Sequence, residues 1–67
     1  MVDARQAAEQ ELIRRGEEPS SFAVQKEERD DRWIVRFLPV AEGRRGGGFE
    51  IQVNKSTGEV TRVIRYQ

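Results

Sequence analysis

A two-layer α+β domain, one N-terminal helix packed on a four-stranded antiparallel meander, is the fold class that this sequence predicts. Three observations predict it. Ala4 to Arg15 are strong helix formers, and Ala4, Ala8 and Leu12 recur on one face. Four later stretches, around Phe22–Lys26, Trp33–Leu38, Phe49–Val53 and Val60–Tyr66, alternate apolar and polar residues as half-buried strands do. The connections between them are rich in turn formers, so strands that follow one another in the chain should pair. The 67 residues form one small domain, 1–67.

The helix has punctuation at both ends. Asp3 is an N-cap candidate, and Gln6 three residues on completes a capping-box spacing. Gly16 stands where a helix needs a left-handed stop. Ala7 and Ile13 flank the apolar face, which is mostly alanine and allows close approach to a sheet. Such a short helix is marginal alone in water, so it depends on that sheet.

Glu17 to Ser21 reads as a loop, and Phe22 and Val24 give the first strand one apolar side. Glu27 to Asp31 is a charged connection, read as a solvated hairpin loop. Its four carboxylates also raise a divalent-cation site, but the glycine and ligand spacing of a calcium loop are missing. Trp33, Val35 and Phe37 share one face of the second strand, and Ile34, Arg36 and Leu38 share the other. Trp33 is expected in the core. Pro39 ends the strand, since proline donates nothing to a ladder.

Val40 to Gly48 is a glycine-rich loop with a positive tip at Arg44 and Arg45. A strand follows it rather than a helix, so it is neither a P-loop nor a dinucleotide loop. Deleting Gly46–Gly48 is expected to cost little, because loop length enters stability logarithmically. Phe49, Ile51 and Val53 make a strand that is dry on one side. Lys55 to Gly58 closes a hairpin, with Gly58 in the left-handed position. In the last strand, Val60, Ile64 and Tyr66 alternate with Thr61, Val63 and Arg65, and Arg62 interrupts the series.

Composition narrows the chemistry. Without cysteine there is no disulfide or thiolate metal site, and without histidine the commonest metal ligand and neutral-pH base are missing. Most carboxylates fall in loops or on the outer helix face, and no serine has a base beside it, so no catalytic residue, cofactor or metal is expected. Twelve basic residues balance twelve acidic ones, which makes nucleic-acid binding unlikely. No apolar run is long enough to span a membrane and the N-terminus has no signal-type apolar region, so a cytoplasmic location is expected.

A single helix covers one side of a sheet. Ile34, Leu38 and Val63, rimmed by Arg36, Arg62 and Arg65, are therefore expected to form an exposed apolar patch with a basic edge, which marks an interface. A homodimer stacking two sheets, or a foreign protein, would cover it. Arg44 and Arg45 are a second candidate, for an acidic partner. The sheet arginines leave nucleic acid as a weaker alternative.

The stretches Trp33–Phe37, Gly47–Asn54 and Thr57–Val60 resemble the PepSY domain and its small cystatin-like relatives, including a bacterial immunity-protein family of similar layout. In these, a helix precedes a strand of the form Trp/Tyr-x-Val-x-Phe, and a strand ending Val-Asp/Asn leads into a Thr-Gly-x-Val turn. The resemblance implies a non-catalytic binding module that regulates a peptidase or neutralises a toxin. It carries over only fold positions: Trp33, Val35, Phe37, Ile51, Val53 and Gly58.

Overall fold

A computed structural model describes residues 3–40 and 47–66. It has one α-helix, α1 (Ala4–Arg14), a 3-10 turn at Pro19–Ser21, and the strands β1 (Phe22–Glu28), β2 (Arg32–Pro39), β3 (Phe49–Asn54) and β4 (Val60–Arg65). The strands form one antiparallel sheet in the order β1-β2-β3-β4, the expected α+β meander. The apex of the loop, 41–46, with Arg44 and Arg45, lies outside the described residues.

The helix starts and stops as its sequence dictates. The Asp3 carboxylate accepts the Gln6 N–H at 3.0 Å. At the other end Gly16 takes φ +83°. Its N–H donates to the Ile13 carbonyl at 3.0 Å, and the Glu17 N–H donates to the Leu12 carbonyl at 2.9 Å, the pair of hydrogen bonds of a Schellman stop. Ala4, Ala8 and Leu12 are buried. Ile13, expected at the flank, is 60% exposed.

The core lies between α1 and one side of the sheet. Phe37, Leu12, Ile51, Val35 and Val53 are its largest fully enclosed side chains. The Phe22 ring stands edge-on to Phe37 at 6.3 Å and to Phe49 at 6.0 Å. Trp33 packs against this cluster but is only half-buried, because it sits at the end of the layer. Lys26 and Lys55 cap its ring at 4.8 and 5.2 Å.

Three sequence expectations change. First, β1 runs on to Glu28, so the turn shrinks to Arg29–Asp31 and closes through the Arg29 N–H on the Arg32 carbonyl at 2.8 Å. Second, Gly48 is not a dispensable loop residue. It is buried at φ +93°, and its carbonyl accepts the Tyr66 N–H at 3.0 Å. Third, the register shifts between Gln52 and Val53: Gln52 faces Arg62, while Val53 faces Val60. Thr61 is the extra residue of a bulge. The bulge turns Val60, Val63 and Arg65 toward the helix side and leaves Arg62 and Ile64 on the outer side. Val63 and Arg65 are therefore not part of the outer face. Val63 packs on the core, and the Arg65 guanidinium lies 6.0 Å from the Phe49 ring.

The β3–β4 turn is built by Asn54, whose side-chain oxygen accepts the N–H groups of Ser56 and Thr57 at 2.7 and 3.0 Å. Gly58 completes it at φ +75°, with its N–H on the Asn54 carbonyl at 2.8 Å. A β-branched residue is strongly disfavoured there, so Gly58→Val is expected to cost about 1 kcal/mol or more in urea unfolding. An unchanged midpoint would remove the turn from the account of stability.

Candidate functional site

The outer side of the sheet has no second layer of secondary structure among the described residues. The register brings Gln25 and Glu27 of β1, Ile34, Arg36 and Leu38 of β2, and Glu50 and Gln52 of β3 to this side. Arg62 and Ile64 join from β4. Of the expected patch, Ile34, Arg36, Leu38 and Arg62 are here, and Val63 and Arg65 are not.

Nor is the face a bare apolar patch. Ile34 is buried, enclosed between its cross-strand neighbours Glu27 and Gln52. Arg36 occupies the middle, 2.9 Å from Glu27 and 3.3 Å from Glu50. The Gln52 amide donates to Glu50 at 3.0 Å and the Tyr66 hydroxyl donates to it at 2.8 Å. Arg32 donates to the Gln52 side-chain amide oxygen at 2.9 Å, and Arg29 pairs with Glu27 at 2.8 Å. One connected network thus reaches from β1 across the sheet to Tyr66 beyond β4, with partly buried Leu38 and Ile64 beside it. Leu38 faces exposed Ala23 across the strand pair.

Its electrostatics follow from these contacts. The hydrogen bond from Gln52, then that from Tyr66, then the Arg36 charge, hold the Glu50 carboxyl below its ordinary range, against burial, which pushes it up. Tyr66 is raised, first by burial and then by its bond to Glu50. Arg36 is raised, first by its hydrogen bond to Glu27. A lowered carboxyl adds stability that is complete above its unfolded value and lost as pH falls through the folded one. A raised tyrosine adds stability that is complete below its unfolded value and lost as pH rises through the folded one. Stability is therefore expected to decline on acidification from about pH 5 downward. Glu50→Gln should flatten that acid limb. An acid limb of unchanged slope in urea titrations at several pH values would place the titrating group elsewhere.

The charged turn behaves as a solvated hairpin. Glu28 pairs with Lys55 and Asp31 with Arg32, leaving few carboxylates to converge. Among the described residues no group of three or more His, Cys, Asp or Glu is placed to hold a metal ion. Among them, too, no helix is long and apolar enough to cross a membrane.

Sequence reasoning missed Glu27, Glu50, Gln52 and Tyr66 as members of this face. A signal existed for two of them: Glu50 and Gln52 are the polar positions of β3, on the side opposite Phe49, Ile51 and Val53. That Arg36 lies directly opposite Glu50 depends on the register across a long loop. No family model matches the chain, and no curated protein or solved structure is significantly similar to it.

Proposed function

We propose that this chain is a non-catalytic binding module that recognises a protein partner through the outer face of its sheet. The observation that carries this reading is the face without a second layer among the described residues, whose centre is a hydrogen-bonded Arg36–Glu27–Glu50 network with partly buried Leu38 and Ile64 beside it. Fixed polar groups next to modest apolar surface suit specific recognition, since little side-chain freedom is lost on docking. An inhibitory or regulatory role of the PepSY kind is the form of this activity that the sequence resemblance favours.

The same geometry weighs against two other readings. Stacking two copies face to face would bury two charged networks against each other, at a desolvation cost that apolar contacts at Leu38 and Ile64 offset poorly. Nucleic-acid binding needed Arg36, Arg62 and Arg65 together, yet Arg36 is neutralised by two carboxylates and Arg65 faces the helix side.

A photo-crosslinking residue at Gln25, beside Arg36 on the outer face, is expected to give a discrete heterologous adduct in cell extract. The same residue at Ser20 should not, and adding Arg36→Glu should abolish the Gln25 adduct while far-UV dichroism shows a retained fold. Equal adducts from both positions, or an adduct only of the chain with itself, would overturn the proposal.

A further inference from the structure

α1 lies over β2, β3 and β4, and between the helix and β4 a groove of about 650 Å³ remains open. Ala7, Val60 and Val63 give it apolar walls, and Arg14, Arg15 and Arg62 line it together with Glu11 and Glu59. β4 is the last strand of the sheet, so one side of its backbone has no neighbouring strand among the described residues. The Tyr66 N–H points inward, to the Gly48 carbonyl. Alternate N–H groups of a strand point opposite ways, so those of Arg65 and Val63 face the open edge.

Three arginines, Arg14, Arg15 and Arg62, meet two carboxylates, Glu11 and Glu59, around this edge. Arg14 and Arg15 share a single carboxylate, Glu11, at 3.4 and 2.9 Å. Arg62 forms no ion pair among the described residues. β4 itself contains two arginines and no carboxylate. A second copy fits poorly: β4 against β4 would set arginines beside arginines. The acidic end of β1, the other edge, is already neutralised, Glu27 by Arg29 and Arg36 and Glu28 by Lys55.

We propose that the α1–β4 groove is a second binding site, distinct from the outer face, and that it takes an extended peptide segment with alternating apolar and acidic residues as a fifth strand beside β4. Main-chain bonds to Val63 and Arg65 hold the segment. Its apolar side chains, on the helix side, fill the groove along Ala7, Val60 and Val63. Its carboxylates, on the outer side, meet Arg62.

The probe is a blocked hexapeptide of alternating Glu and Val, titrated into the full chain and followed by amide NMR, with the Lys–Val counterpart as comparison. Saturable shifts are expected in β4 and along the helix between Ala7 and Arg15, with slowed exchange of the Val63 and Arg65 amides. The Lys–Val peptide should bind at least tenfold more weakly, and added salt should narrow that difference. Arg65→Pro removes an edge donor without touching a ladder bond and should abolish binding, whereas Arg65→Gln keeps the donor and should weaken it only severalfold. Amide spectra of each variant without peptide establish that it is folded. Absence of binding, equal binding of both peptides, shifts confined to the outer face, or full binding by the folded Arg65→Pro variant would each overturn the proposal.

Discussion

Replacing Gly48 by alanine is expected to remove about 3 kcal/mol of stability, a large share of the roughly 3–10 kcal/mol available to a domain of this size. Two separate penalties combine. The residue sits at φ +93°, where an L side chain is strained. A Cβ built there would also lie 2.6 Å from the Phe37 carbonyl oxygen and 3.3 Å from Pro39 Cδ. The carbonyl belongs to the backbone of a central strand, so it cannot swing aside as a side chain would. Relief must come from parting β2 and β3 where β3 begins, which also disturbs the Tyr66 bond to the Gly48 carbonyl. Gly47→Ala is the internal control. Its φ of +79° is equally left-handed, but the nearest atom to its Cβ would be Pro39 Cγ at an ordinary 3.6 Å. It should cost only about 1 kcal/mol. Urea midpoints that differ by about 2 kcal/mol between the two variants would confirm the close approach. Equal midpoints would mean that the strand gap relaxes freely and that only the backbone angle matters.

Gly48 also marks where reading the sequence stops. Three glycines in a row look like slack, and nothing local distinguishes the one that enters the sheet. Features set by neighbours in the chain were legible: the Asp3 cap, the Gly16 stop, the Asn54–Gly58 turn and the dry face of β3. Features set by strand-to-strand register were not. Val63 and Ile64 are adjacent and both apolar, so alternation alone cannot say which faces the helix, and the bulge at Thr61 decides it. The candidate face changed for the same reason. Arg36 looked like a basic rim until the register set it between Glu27 and Glu50, and Ile34 looked exposed until the same strands enclosed it.

Phe37→Ala is expected to cost about 3–5 kcal/mol, enough to leave the chain largely unfolded at room temperature. The ring is fully enclosed in the centre of the helix-side layer and meets the edge of Phe22 at 6.3 Å. Phe22, Phe49, Leu12, Ile51, Val35 and Val53 are themselves buried in the same core, so removing the ring leaves a cavity. On the opposite side of β2 the sheet is held by Arg36 and its carboxylates, and partly exposed pairs of that kind contribute little. Stability therefore comes from one side of the sheet and recognition is assigned to the other. Arg36→Ala should accordingly stay within about 1 kcal/mol of the parent while Phe37→Ala unfolds. Far-UV dichroism with Trp33 fluorescence during urea titration separates the two. A Phe37→Ala variant that keeps a cooperative transition near the parent midpoint, or an Arg36→Ala variant that loses it, would show that the polar network carries the fold and that the division between the two faces is wrong.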